Sequence, residues 1–140
     1  MTPIPDGYRE RRYNSDFTDL CGPFFEKIEN GQQTELALRI SRKHSNLRGI
    51  THGGLLVTIA DSAIGDAVAQ AYGNEVGIVT VSLSSEFFKP ANVGDWLVAR
   101  ATVQKQGRSL TFADCFLYVN GEKIFRASGV FAVVDRKGAR

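Results

Sequence analysis

The chain has 140 residues, of which 43% are hydrophobic and 23% charged, and its formal net charge at pH 7 is +2. This length and composition predict one domain, 1–140, with a substantial core, and they exclude a disordered chain. The small net charge, with lysines and arginines scattered along the sequence, argues against a nucleic-acid-binding protein.

The few cysteines and histidines limit the kind of site. Cys21 and Cys115 form no CxxC pair, so we expect two reduced thiols in a cytoplasmic protein. The polar N-terminus does not resemble a signal peptide. No apolar run reaches the roughly 18 residues that a membrane-spanning helix needs, so we expect no contact with a membrane. The two histidines, His44 and His52, have no cluster of acids or thiols near them, and we expect no metal site.

The first half of the chain contains one strong helical signal. Residues 34–43 alternate between apolar and polar, which predicts a half-buried strand. Residues 45–54 have the composition of a loop. From Leu55 to about Tyr72, apolar residues cover most of a helical circumference, which is typical of a buried helix. The following sequence YGN predicts the end of that helix.

The second half is predicted to form four strands, at 76–88, 96–106, 109–119 and 122–134. The first of them alternates through Val79, Val81 and Leu83, which predicts these three side chains on one face. Asn120 and Gly121 predict a tight hairpin between the last two strands, because a type I′ turn needs a positive φ at both positions.

Short connections favour antiparallel neighbours in the sheet. Only one long helix is available to cover a face of that sheet. The sequence therefore predicts an α+β fold in which a curved antiparallel sheet wraps around one long central helix. Residues 16–29 are expected to add a short helix and an edge segment. The core spans about 34–134, and 1–33 form an N-terminal extension.

A group of residues around the helix start resembles a known family. The matching residues are Asn46, Gly49, His52, Gly53, Gly54, Ala60 and Asp61. With the order of elements, this pattern resembles the hotdog-fold acyl-CoA thioesterases of the phenylacetate-pathway (PaaI-like) type, relatives of the 4-hydroxybenzoyl-CoA thioesterases. The resemblance covers roughly 34–134. It implies hydrolysis of an acyl-CoA thioester to a free acid and CoA, no separate cofactor because CoA is part of the substrate, and a homo-oligomer, usually a tetramer built as a dimer of dimers.

Two of these residues suit the chemistry of thioester hydrolysis. Backbone N–H groups at a helix start stabilise a developing oxyanion, and glycine leaves room for a bulky thioester. Gly53 is therefore the candidate oxyanion donor, in agreement with the family. The Asp61 carboxylate can activate a water as a general base or attack directly to form an anhydride. The sequence leaves both routes open.

The other candidate residues have supporting roles. Asn46 offers an amide that can position the water or the acyl carbonyl. The resemblance implies that His52 helps to orient the corner formed by Asn46 and the glycine, and that Thr80 helps to hold the attacking water. The residues expected to bind substrate and CoA are Gly54, Lys89, Pro90, Gly107, Arg108 and Ser109.

The spacing of Gly53 and Asp61 has a geometric consequence. Eight residues separate them, which places them about 12 Å apart along one helix. One thioester carbon cannot contact both, so a shared reaction requires Gly53 from one subunit and Asp61 from another. The resemblance implies the same shared site at a two-fold interface, and we expect an isolated monomer to be inactive.

The sequence also allows other interpretations of several residues. Asp61 is alternatively a buried structural acid. Asp66 is expected to be a solvated or interface charge, and His44 a surface residue. Four phenylalanines are expected to form core or interface contacts: Phe87, Phe88, Phe112 and Phe116. The competing functions are an acyl-thioester dehydratase on the same fold and a non-catalytic acyl-CoA-binding hotdog protein, which should lack the attacking carboxylate.

Overall fold

A computed structural model describes residues 3–135. Within that range, one curved antiparallel sheet of seven strands surrounds a central helix. The helices are α1 (Asp16–Cys21) and α2 (Gly53–Ala71), with a short 3₁₀ helix at Arg42–His44. The strands are β1 (Tyr8–Arg11), β2 (Phe24–Glu29), β3 (Gln32–Arg39), β4 (Val76–Phe87), β5 (Trp96–Gln106), β6 (Leu110–Val119) and β7 (Glu122–Asp135).

The strand order is β1-β2-β3-β5-β6-β7-β4, and every pair is antiparallel. This architecture confirms the predicted α+β hotdog fold. One expectation was wrong: β4 and β5 follow each other closely in sequence but are not neighbours in the sheet. Residues 88–95 instead cross from the edge of the sheet, where β4 pairs with β7, to β5, which pairs with β3. Phe88 N–H and Lys89 N–H bond to the Ile124 carbonyl, and Ile40 N–H bonds to the Asp95 carbonyl.

The central helix is buried because its apolar residues recur on the faces turned toward the sheet. Its buried side chains are Leu55, Leu56, Ile59, Ala60, Ala63, Ile64 and Val68. They share one core with sheet residues that are at most 1% exposed, among them Leu36, Leu38, Leu97, Leu117, Phe125 and Phe131. Each buried leucine or phenylalanine side chain contributes about 1.5–3 kcal/mol through its removal from water. Within residues 3–135, no helix is long and apolar enough to cross a membrane.

The helix begins earlier than its composition predicts. Periodicity predicts a start at Leu55, whereas α2 starts at Gly53 with His52 as its N-cap. The His52 Nδ1 accepts a hydrogen bond of 2.8 Å from the Gly54 N–H, which satisfies one of the N–H groups that a helix start leaves unpaired. The predicted end is confirmed, because Gly73 and Asn74 follow the helix with φ values of +75° and +62°.

Strand β4 contains a bulge, and the set of alternate residues that faces the core changes there. Its register against β7 shifts between Thr80 and Ser82, so that Val81 has no pairing partner. Ile78 and Leu83 pack against the core. The prediction that Val79 and Val81 share the face of Leu83 was therefore wrong, and the two valines are 53% and 58% exposed. A bulge adds one residue to a strand, which breaks the period of two.

The N-terminal segment folds partly as expected. The short helix and the following strand, α1 and β2, are confirmed, but β2 is not the edge, because β1 pairs with it from outside. The charged sequence of β1 lacks apolar alternation and gave no signal. The turn Asn30–Gly31, with φ values of +55° and +76°, joins β2 to β3. It is the same Asn-Gly signal as the confirmed turn at Asn120–Gly121, with φ values of +52° and +79°.

Strand β3 also departs from its prediction. It ends at Arg39 rather than continuing to residue 43, and it is buried on both faces instead of one. Glu35, on its outer face, is only 7% exposed. The Glu35 carboxylate accepts hydrogen bonds from the Arg100 Nε at 2.9 Å and from the Tyr8 hydroxyl. Burial and that carboxylate raise the pKa of Tyr8 to about 12.

One histidine expected at the surface is buried. His44 is 4% exposed; its Nδ1 accepts a hydrogen bond from the Ser41 N–H at 2.9 Å, and its Nε2 donates to the Cys21 carbonyl at 2.6 Å. This pairing requires the neutral imidazole with its proton on Nε2. Burial lowers the pKa of His44 below its ordinary value.

Asp66, on α2, binds residues of the N-terminal segment. Its carboxylate accepts hydrogen bonds from the Arg11 Nη2 at 2.8 Å, the Tyr13 hydroxyl at 2.7 Å and the Gln33 Nε2 at 2.8 Å. Because its side chain is only 12% exposed, the solvated alternative was wrong: β1 and the residues after it were not expected to cover this part of the helix. The alternative of an interface charge stays a prediction.

Candidate active site

The first turn of α2 presents a backbone donor. The Gly54 N–H is bonded to His52, whereas the Gly53 N–H makes no hydrogen bond within residues 3–135. A free N–H at the positive end of a helix is suited to bind an anionic oxygen. The Gly53 N–H is therefore free to serve as the predicted oxyanion donor.

Both glycines at the helix start have close neighbours. A Cβ on Gly53 would lie 3.2 Å from the Phe87 ring, and a Cβ on Gly54 would lie 3.0 Å from the His52 Nδ1. The residue type is thus restricted by packing at both positions. At Gly53 the missing side chain lets the aromatic ring lie beside the free N–H.

Asn46 organises the loop that leads to the helix. Its side-chain Oδ1 accepts hydrogen bonds from the Arg48 N–H at 2.8 Å and the Ile50 N–H at 3.4 Å. Its side-chain NH₂ is left as the group that can donate to a substrate. The imidazole of His52 bonds Gly54 and not Asn46, so the orienting contact in this chain is between His52 and the helix start.

A cleft of about 330 Å³ brings several predicted site residues together. We call it the aromatic cleft; it is lined by Asn46, Ile50, Thr51, Gly53, Leu56, Phe87, Phe88, Lys89 and Pro90. Phe87 and Phe88 line this cleft. They are 53% and 50% exposed, so they do not belong to the core. Phe112, at 42% exposure, lies outside the core as well. The Lys89 Nζ already pairs with Glu122 at 2.9 Å.

Asp61 and Thr80 form a second group of predicted site residues. The Thr80 hydroxyl donates a hydrogen bond of 2.7 Å to the Asp61 Oδ1. Thr80 lies immediately before the bulge in β4. Neither residue lines the aromatic cleft, and both belong to the exposed or half-buried part of the chain.

The predicted CoA-binding turn lies at the other end of α2. The Tyr72 hydroxyl donates to the Gly107 carbonyl, and the Gln106 Nε2 donates to the Ala71 carbonyl at 3.3 Å. A Cβ on Gly107 would lie 2.5 Å from the Leu110 carbonyl oxygen, so this tight turn requires glycine. Arg108 and Ser109 are exposed there. Within one chain, the helix separates this turn from Gly53.

Sequence reasoning missed a second cleft at the helix start. A groove of about 610 Å³ lies between α1 and the first turns of α2. We call it the α1 groove; it is lined by Phe17, Leu20, Cys21, Lys43, His44, His52, Gly54, Leu55 and Thr58. The apolar residues in the predicted short helix were the available signal.

Comparison with known proteins identifies the family of this chain. The family model of the thioesterase superfamily matches residues 48–124. The protein PA0474 of Pseudomonas aeruginosa, whose name assigns it provisionally to the esterases, is 40% identical over 131 residues, which cover 94% of this chain and 98% of that protein. The acyl-coenzyme A thioesterase 13 of Mus musculus is 33% identical over 76 residues, covering 54% of this chain and 54% of that protein.

Solved structures with a similar fold include a PaaI protein. The PaaI protein from the phenylacetic acid degradation operon of E. coli superposes with a TM-score of 0.75 at 20% identity, covering 87% of this chain and 87% of that chain. This likeness confirms the hotdog architecture. Because the family match spans more than half of the chain, the chain belongs to the thioesterase superfamily, as a thioester hydrolase with the hotdog fold.

Proposed function

We propose that this protein hydrolyses an acyl-CoA thioester to a free carboxylic acid and CoA. The observation that carries the proposal is the position of two complementary groups on one helix. α2 begins with the free N–H of Gly53 and carries, in its middle, the Asp61 carboxylate bound to Thr80. The family supports thioester hydrolysis, and the similarity to an acyl-coenzyme A thioesterase supports CoA as the thiol.

The proposed reaction uses water as the nucleophile. Asp61 removes a proton from a water held with the help of the Thr80 oxygen, while the water oxygen attacks the thioester carbon. The carbonyl oxygen becomes an oxyanion bound by the Gly53 N–H, and loss of one such donor typically costs about 10²- to 10³-fold in kcat. When the tetrahedral intermediate collapses, the carbon–sulfur bond breaks and the CoA thiolate leaves. The proton that Asp61 took from the water passes to the thiolate, which restores the Asp61 carboxylate. Direct attack by Asp61 is the alternative route.

The two groups must come from two copies of the chain. On one straight helix, Gly53 and Asp61 lie about 12 Å apart. We therefore propose a dimer in which Asp61 of each copy serves the Gly53 of the other, and pairing of two such dimers into a tetramer. The free edge of β4, with Val79 and Val81 exposed, supports contact with a second copy.

An antiparallel arrangement of the two helices would also bring the Gly107–Ser109 turn of one copy toward the helix start of the other. Arg108 and the Lys89 of the aromatic cleft would then flank the phosphates of one CoA. Both thiols, Cys21 and Cys115, are free, which supports the expected cytoplasmic, reducing compartment.

The direct test is thiol release from a panel of acyl-CoA esters. We expect turnover by the unmodified protein and a loss of at least about 10²-fold in kcat for Asp61→Asn. Asp6→Asn is the matched control, since Asp6 is exposed and far from α2 in sequence. Binding of acyl-CoA without turnover would favour the non-catalytic acyl-CoA-binding protein. Hydration of an enoyl-CoA with no thiol release would favour the dehydratase.

A further inference from the structure

The α1 groove has two apolar side chains that the core does not use. Phe17 and Leu20 are 59% and 73% exposed. They lie three residues apart on α1, so they share one face of that helix. α1 has no buried residue. Large apolar side chains grouped on one exposed face, beside a groove of about 610 Å³, are typical of a surface that binds a ligand or a partner.

Several polar groups that line the α1 groove are already hydrogen-bonded within the chain. Both ring nitrogens of His44 are bonded, to Ser41 and Cys21. The Thr58 hydroxyl donates to the Gly54 carbonyl at 2.9 Å. The remaining charged group, Lys43, is exposed. An occupant of the groove therefore meets mainly apolar surface, which selects hydrocarbon over a polar ligand.

The α1 groove adjoins the proposed catalytic donor. His52 and Gly54 line it, while Gly53, between them, lines the aromatic cleft. A thioester has two arms, and a carbonyl held at the Gly53 N–H directs them to opposite sides of the helix start. The aromatic cleft has Lys89 and Asn46 for the polar CoA arm. The α1 groove is left for the acyl arm.

We propose that the α1 groove binds the acyl group, an apolar chain of several carbons, and that Phe17 and Leu20 set the preference for its length. This inference rests on the proposed thioesterase function. The His44 bonds to Cys21 and Ser41 hold the end of α1 against the loop before the active site, so the groove wall is fixed to the site it serves.

The test compares hexanoyl-CoA with acetyl-CoA, which differ by four methylenes. In the double variant Phe17→Ser/Leu20→Ser, we expect kcat/KM for hexanoyl-CoA to fall about tenfold and that for acetyl-CoA to change less than about twofold, since only the longer chain loses apolar contact. Ile4→Ser is the control, because Ile4 is exposed but does not line the groove. Leu20→Trp, which fills the groove, should reduce hexanoyl-CoA turnover selectively as well.

The kinetic comparison and two further measurements separate the outcomes. Equal changes on both esters, or none, would overturn the assignment of the groove. Equilibrium binding of the same two esters to Asp61→Asn protein tests the groove independently of turnover. If the unmodified protein hydrolyses neither ester, that result contradicts the proposed function but not the assignment of the groove. A change of molecular mass by light scattering in the groove variants would show that a second copy covers this surface, and would also overturn the inference.

Discussion

The Thr80 hydroxyl donates a hydrogen bond of 2.7 Å to the Asp61 carboxylate, and so joins the edge strand β4 to the middle of the central helix. This contact depends on the bulge after Thr80. Before Val81 the even-numbered residues of β4, such as Ile78, face the helix, whereas after Val81 the odd-numbered residues, such as Leu83, do so. A shift of one residue would turn Thr80 away from Asp61.

Replacement of Thr80 by valine should lower kcat about 10- to 100-fold with little change in KM. A hydrogen bond to a charged group contributes about 1.5–3 kcal/mol, and valine preserves the shape of the side chain. Steady-state kinetics on one acyl-CoA ester measures the two parameters. Thr102→Val, at an exposed position of β5, is the control. An increase in KM with unchanged kcat would assign Thr80 to binding and not to the reaction step.

Substitution of Gly53 by alanine should reduce kcat about tenfold or more, because the new Cβ would lie 3.2 Å from the Phe87 ring at the oxyanion donor. The double variant Gly53→Ala/Phe87→Leu should recover part of the activity, since the smaller side chain relieves that contact. Kinetics on the single and double variants is the measurement. No recovery in the double variant would show that the ring does not limit access to the Gly53 N–H.

Replacement of Arg108 by alanine should raise KM for CoA esters about threefold to tenfold, as expected for one lost contact with a phosphate. The same variant should leave KM unchanged for a short thioester that lacks the nucleotide. Arg12→Ala is the control, because the Arg12 side chain is 73% exposed. The role in nucleotide binding is refuted by equal losses on both substrates.

Acidification should destabilise the fold through His44. Its folded-state pKa is lowered from the ordinary value of 6.5, because burial disfavours the charged imidazole. Its contribution is therefore fully present above pH 6.5 and is lost as the pH falls toward the lowered folded-state pKa, since the unfolded chain binds the proton first. Protonation would also remove the Nδ1 acceptor of the Ser41 N–H.

The free energy of unfolding from urea titrations at pH 7.5, 6.5 and 5.5 measures this effect. In His44→Gln the decrease between pH 6.5 and 5.5 should be smaller than in the unmodified protein. His52→Gln is the matched control, because it removes the exposed histidine and should retain the decrease. An unchanged acid dependence in His44→Gln would assign the effect to other groups.

The sequence by itself determined the elements whose signals are local. The predicted bounds of α2 and of the strands at 96–106, 109–119 and 122–134 lie within two residues of the observed ones, and the Asn120–Gly121 turn is where it was predicted. The group from Asn46 to Asp61 predicted the family, because the spacing of glycine, histidine and acid along a helix start is itself a local pattern.

Tertiary structure decided what depends on contacts between distant residues. The bulge at Val81 arises from pairing with β7, and the place of β4 at the edge follows from which strands pair across the helix. The burial of His44 and the hydrogen bonds of Asp66 depend on the N-terminal segment, whose charged strand has no periodic signal. The α1 groove exists because α1 packs beside the start of α2. Side-chain periodicity records which face of an element is apolar, but not which other element covers it.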